Sequence, residues 1–127
     1  MSKTATPQRP RILIVEDDYF IAEDLRRSFQ KSGAEVIGPV PTAEEAVELL
    51  SKTLDLDGAV LDINLDTDGP VFPIADALAA RNVPFVFATG YDGDIIPDRF
   101  AGVRRFEKPC DPVMIFGYLE EHARSMR

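Results

Sequence analysis

Residues 11–18 read Arg11-Ile12-Leu13-Ile14-Val15-Glu16-Asp17-Asp18. From Ile12 to Val15 no polar residue alternates with the apolar ones, so neither face of the segment can meet water. A short unbroken run of this kind fits a central strand of a parallel sheet. Three carboxylates then end it abruptly. Beyond them, Ile21, Leu25 and Phe29 recur every four positions between Tyr19 and Ser32, which predicts a helix with one apolar face, stopped by Gly33. This strand-turn-helix unit sets a rhythm that the rest of the chain repeats.

Glu35-Val36-Ile37-Gly38 reads as a second, weaker strand. Pro41-Thr42 with Glu45 three residues on is a capping box, opening a helix whose inward face is expected to be Ala43, Ala46, Val47 and Leu50. A polar turn over Thr53–Asp57 leads to a third strand, Gly58-Ala59-Val60-Leu61-Asp62. The loop Asn64–Gly69 precedes a helix through Val71, Ile74, Ala75 and Leu78. Pro84-Phe85-Val86-Phe87-Ala88 is a fourth strand, ending in Thr89-Gly90. Pro97, with Gly93 and Gly102, leaves room for only a short helix in 91–102. Val103–Glu107 is a short fifth strand, followed by Lys108-Pro109 and a last helix from about Asp111 with Ile115, Leu119 and Ala123 on one face. Strands alternating with helices predict one α/β domain, a parallel sheet covered on both sides.

The composition agrees. The chain has 127 residues, 45% hydrophobic and 28% charged, with 8 Gly and 10 Pro, which excludes a disordered or fibrous chain. Residues 1–10, with two prolines and no periodicity, are expected to be a mobile tail before a domain at 11–127. The single cysteine, Cys110, rules out an internal disulfide and a multi-cysteine zinc site. No apolar run reaches the roughly 18 residues of a membrane span, and the first ten residues lack the apolar stretch of a signal peptide. The expected location is cytoplasmic, without a membrane partner. With 14 Lys plus Arg against 22 Asp plus Glu, net charge −8, and no basic cluster, direct nucleic-acid binding is not expected.

In an open parallel sheet, ligands bind outside the carboxyl ends of the strands. Here the first strand ends in Glu16-Asp17, the third in Asp62, the fourth in Thr89, and the fifth in Lys108. Three carboxylates, a hydroxyl and an ammonium would therefore share one edge. Two carboxylates about 4 Å apart repel by on the order of 4 kcal/mol at an effective dielectric near 20, and Lys108 alone does not offset three. A hard divalent cation such as Mg²⁺ suits an oxygen-only site, whereas the lack of His and Cys neighbours disfavours zinc or copper. An aspartate beside such a cation, with Lys and Thr in reach, is equipped for phosphoryl transfer. Asp62 is the candidate nucleophile; Glu16 and Asp17, as a pair, are the candidate metal holders.

These residues match a known family. Across about residues 10–124 the sequence resembles the receiver domain of two-component response regulators, through Ile12-Leu13-Ile14-Val15-Glu16-Asp17, Val60-Leu61-Asp62, Ala88-Thr89-Gly90 and Lys108-Pro109. Phe85-Val86-Phe87-Ala88-Thr89-Gly90-Tyr91 further resembles the alphaproteobacterial FATGUY subgroup of single-domain regulators. The resemblance implies a flavodoxin-like (CheY-like) fold with strand order 2-1-3-4-5. It also implies roles. Asp62 would accept a phosphoryl group from the phosphohistidine of a partner histidine kinase. Asp17 would bind Mg²⁺ directly, Glu16 through water, and Asn64 through its backbone carbonyl. Lys108 would contact the phosphoryl group, Thr89 would move to hydrogen-bond it, and Gly90 would leave it space.

The chain departs from the family in three places. Three residues before Lys108, where the family usually has Tyr or Phe, stands Arg105, with Phe106 beside it. The loop after Asp62 lacks the frequent Met-Pro, and Arg105 and Glu107 would alter the surface that receivers use to meet partners. Tyr91 is either a shield of the phosphorylated aspartate against water or a partly exposed loop aromatic between Gly90 and Gly93. His122, the only histidine, reads as a solvated helix-end residue, and Cys110 as a packing residue. Ile96 is assigned to the core, with Ile95 and Phe100 left between core and docking patch.

A stand-alone switch or phosphate sink is the leading expectation, with no catalysis beyond its own phosphorylation and dephosphorylation. Two alternatives stand beside it. One is a phosphorylation-independent interaction module with a vestigial acidic pocket. The other is a small Asp-nucleophile phosphatase, for which Asn64 occupies the position where a second acid is typical.

Overall fold

The computed structural model describes residues 9–63, 71–90 and 96–125. They form β1 (Arg11–Val15), α1 (Tyr19–Lys31), β2 (Glu35–Val40), α2 (Ala43–Lys52), β3 (Gly58–Asp62), α3 (Phe72–Ala80), β4 (Phe85–Thr89), a single 3₁₀ turn (Asp98–Phe100), β5 (Arg105–Glu107) and α4 (Pro112–Ser125). All strand pairs are parallel, and the sheet order is β2-β1-β3-β4-β5, the expected flavodoxin-like topology.

Side chains alternate across the strands, so each inner strand feeds two cores. Leu13, Val15, Ala59, Leu61 and Phe87 pack with Ala46 and Leu50 of α2 and Ile74, Ala75 and Leu78 of α3. Ile12, Ile14, Val60, Val86 and Ala88 pack on the other side with Leu25 and Phe29 of α1 and Ile115 and Leu119 of α4. This explains why β1, β3 and β4 read as continuous apolar runs.

Several boundaries differ from expectation. Pro10 is buried, and its carbonyl accepts from the Glu35 amide; residues 1–8 lie outside the described part. β2 runs past Gly38 to Val40. At Gly38 the register between β1 and β2 shifts: Leu13 pairs with Ile37, but Val15 pairs with Val40. One form of bulge places a glycine with positive φ at the extra residue, and Gly38 sits at +94°. Val47 faces outward, 52% exposed. The buried stripe of α2 is Ala46 and Leu50, flanked by Ala43 and Leu49, and Val47 lies about 100° around the helix from Ala46.

Between β4 and β5 the described residues contain only the 3₁₀ turn. Phe100 is buried there against Phe72, Phe85 and Phe87, with ring centroids 5.6–6.1 Å apart. Arg99 beside it makes a two-pronged ion pair with Asp76 of α3, at 2.8 and 2.9 Å. Phe100 therefore belongs to the core, and Ile96 packs partly buried against the same cluster; Ile95 lies outside the described residues. β5 starts at Arg105 rather than Val103 and exposes Arg105 and Glu107 while burying Phe106, whose ring contacts Tyr118 and the Arg104 guanidinium.

Candidate functional site

Strand register alone gathers the candidate residues. Val15 pairs with Leu61, so Glu16 and Asp62 come next on adjacent strands. Asp62 pairs with Ala88, one residue before Thr89, and Thr89 pairs with Glu107, one residue before Lys108. Further backbone bonds hold the strand ends together. The Glu16 amide donates to the Val40 carbonyl (3.0 Å), and the Lys108 amide donates to the Thr89 carbonyl (2.7 Å). The bulge at Gly38 is what brings Val40 to Glu16.

At the centre, Asp62 and Glu16 are 1% and 3% exposed. Lys108 Nζ lies 3.3 Å from Asp62 Oδ2 and 2.9 Å from Glu16 Oε1, and donates a hydrogen bond to Glu16 Oε2 at 3.2 Å. Oε2 also accepts from the Asp18 amide at 3.0 Å. Oε1, though ion-paired, receives no aligned hydrogen bond among the described residues and is out of contact with solvent. Burial, reinforced by the Asp62 charge, pushes the Glu16 carboxyl up from 4.5 to about 7, with Lys108 and the Asp18 amide opposing the rise. For Lys108, burial works to lower its pKa, but the Glu16 hydrogen bond and the Asp62 charge outweigh it and raise it above 10.5.

Carboxylate oxygens of Glu16, Asp17 and Asp62 lie within 4.8 Å of one another. A buried oxygen without an aligned donor, two more carboxylates at this spacing, and neither His nor Cys in the group make a donor set for a hard divalent cation. One ammonium cannot neutralise three carboxylates, and a cation would also lower the cost of ionising Glu16.

Of the residues singled out in the sequence, the fold brings Glu16, Asp17, Asp62 and Lys108 into one cluster. It places Thr89, 4% exposed, and Gly90 at the adjoining strand end. Asn64 and Tyr91 lie outside the described residues. Two other expectations are decided. Cys110 packs against the α1–α4 core, where burial pushes its thiol up. His122 is half-buried and stacks on Tyr118 at 3.9 Å, with Nδ1 2.9 Å from the Tyr118 carbonyl, a more anchored position than a solvated helix end. What sequence reading missed is Asp18: it is the N-cap of α1, its side chain accepting from the Phe20 and Ile21 amides.

Comparison with known proteins bears on the family and the fold. No protein-family model matches the chain. The solution structure of SdrG from Sphingomonas melonis Fr1 is 33% identical, with a TM-score of 0.76, over 90% of this chain and 98% of that one. The phyllosphere-induced regulator PhyR of Methylorubrum extorquens is 31% identical over 92% of this chain; the chain spans only 45% of its length. A receiver domain (CheY-like) from Methylobacillus flagellatus, 23% identical over 90% of this chain and 98% of that one, shares the fold with a TM-score of 0.75. Among the described residues no helix is long and apolar enough to cross a membrane. With the sheet order, the strand-end cluster and these relatives in agreement, the chain belongs to the response regulator receiver (CheY-like) family.

Proposed function

We propose that this chain is a phosphorylation-controlled switch of a two-component phosphorelay, in which Asp62 accepts a phosphoryl group from the phosphohistidine of a histidine kinase in a Mg²⁺-dependent reaction. The observation that carries this reading is the placement of Lys108 Nζ 3.3 Å from Asp62 Oδ2, on the carboxylate that completes the acidic cluster.

An Asp62 carboxylate oxygen attacks phosphorus; the phosphorus–nitrogen bond to the donor imidazole breaks, and its electron pair stays on that nitrogen. The Lys108 ammonium, already directed at Asp62, balances charge gathering on the phosphoryl oxygens. The Thr89 hydroxyl hydrogen-bonds the same group, and Gly90 leaves it room. Glu16, Asp17 and Asp62, with the backbone carbonyl of Asn64, would hold Mg²⁺, which supplies further charge neutralisation when bound. Dephosphorylation is a separate step: water attacks phosphorus, the phosphorus–oxygen bond to Asp62 breaks, its electron pair returns to the carboxylate and inorganic phosphate leaves. On this reading the chain catalyses only its own phosphorylation and dephosphorylation.

The output is altered binding of another protein, or draining of phosphate from the kinase. The acidic balance, −8 overall, supports a protein partner rather than nucleic acid, and we place the protein in the cytoplasm. The Phe87-Ala88-Thr89-Gly90-Tyr91 stretch supports membership of the FATGUY subgroup.

Intact mass after incubation with acetyl phosphate or phosphoramidate tests the reading. The expected result is one phosphoryl adduct that requires Mg²⁺ and is missing from Asp62→Asn. An adduct that persists in Asp62→Asn, or one indifferent to Mg²⁺, overturns it.

A further inference from the structure

The acidic triplet Glu16-Asp17-Asp18 divides its labour. Glu16 and Asp17 join Asp62 in the cluster, whereas Asp18, exposed, is outside it. Its Oδ1 accepts from the Phe20 amide at 2.9 Å and the Ile21 amide at 3.0 Å, satisfying two of the donors that a helix start leaves open. Its carbonyl accepts from the Ala22 amide, the first backbone bond of α1. The carbonyl bond fixes the peptide plane after residue 18, and the two Oδ1 bonds fix its side chain. With Asp18 held at φ −78° and ψ 116°, the preceding plane carries the Asp18 amide to Glu16 Oε2, 3.0 Å away. Glu16 thus has two orienting donors, one from the far end of the sheet (Lys108) and one from its own loop.

We propose that Asp18 is a positioning residue of the metal site. By capping α1 it orients the amide that holds the Glu16 carboxylate toward Asp17 and Asp62, and it sets cation affinity through this geometry rather than through its own charge. The inference rests on the reading that the cluster binds a divalent cation. A side chain that caps equally well without charge therefore suffices: asparagine is as good an N-cap as aspartate, and alanine is not.

Mg²⁺ and Mn²⁺ titrations by calorimetry on the full chain test this with Asp18→Asn, Asp18→Ala and Arg81→Ala. Arg81 serves as a control for lost stability. It donates to the Leu50 and Thr53 carbonyls at the end of α2, away from the strand ends that carry the site. Asp18→Ala is expected to weaken both cations about ten-fold, the low end for loss of an outer partner of a metal ligand. Asp18→Asn should stay within about two-fold, since an exposed charge is well screened, and Arg81→Ala should bind as the unmodified chain does. Equal affinities in all variants overturn the proposal, as does Asp18→Asn binding as weakly as Asp18→Ala, which would make the charge the active element.

Amide exchange without metal gives a second readout. The amide of residue 18 should lose protection about ten-fold in Asp18→Ala and keep it in Asp18→Asn. Unchanged protection in Asp18→Ala overturns the proposal independently. Should the unmodified chain bind neither cation, the metal reading falls, and the exchange comparison still decides whether Asp18 orients Glu16.

Discussion

Glu16 makes the metal-free protein less stable as pH rises, the reverse of the behaviour of most paired carboxylates. Its folded-state pKa stands near 7 against 4.5 for an ordinary glutamate, because burial and the Asp62 charge disfavour ionisation. Between those values the folded chain holds a proton that the unfolded chain has released. Stability from this group is therefore complete below about pH 4.5 and is lost as pH climbs through about 7. At 1.36 kcal/mol per pK unit the loss is about 3 kcal/mol, a large share of a typical 5–15 kcal/mol stability. Glu23 and Asp76 are lowered by Arg26 and Arg99, so their contributions disappear only in more acidic solution. Urea unfolding with a chelator, from about pH 5 to about pH 8, should show stability falling with pH in the unmodified chain and a nearly flat profile in Glu16→Gln. Saturating Mg²⁺ should reverse the trend, because it favours the ionised cluster; the rise in Tm on adding Mg²⁺ should grow with pH. Identical pH profiles for the two proteins, or stability rising with pH in the chelated unmodified chain, would refute the reasoning.

Other outcomes follow from the packing. Gly38→Ala places a methyl group 3.0 Å from the Val40 amide nitrogen and 3.1 Å from the Ile14 carbonyl oxygen, at a φ of +94°. A cost of about 1–2 kcal/mol or more is expected in urea unfolding, together with weaker Mg²⁺ binding because Val40 anchors Glu16. Phe100→Ala should cost about 3–5 kcal/mol, since its ring fills the space among Phe72, Phe85 and Phe87. Arg99→Ala removes an exposed ion pair with Asp76 and a contact over the Phe100 ring, and should cost about 1 kcal/mol or less. Both are read from denaturation midpoints at constant slope, and equal costs would mean that the turn is held by charge rather than by the buried ring.

The fold was legible because the strands buried on both faces write themselves as apolar runs, and the rule that parallel sheets bind at carboxyl ends turns the next residues into a site. That logic put Glu16, Asp17, Asp62, Thr89 and Lys108 at one edge of the sheet, and the fold gathers them there. It failed where conformation depends on partners far along the chain. Gly38 looked like the end of a strand because a bulge is visible only once β2 is laid against β1. Val47 and Leu49 are both apolar in α2, and only the helix's rotation on the sheet decides that Leu49 turns inward. Phe100 could not be assigned to the core until Phe72, from another element, was seen stacked on it. Asp18 was hidden by its neighbours, since three successive carboxylates look alike until the helix start selects one as its cap.

The central claim is that Asp62 itself carries the phosphoryl group. Borohydride reduction of the chain after treatment with acetyl phosphate and Mg²⁺, followed by peptide mass mapping, tests it most directly, because reduction marks the esterified carboxyl permanently. One reduced residue is expected, at position 62, and none when Mg²⁺ is replaced by a chelator. Reduction at Asp17 or Asp57 instead, or no mark at position 62 in a sample whose intact mass shows the adduct, would contradict it.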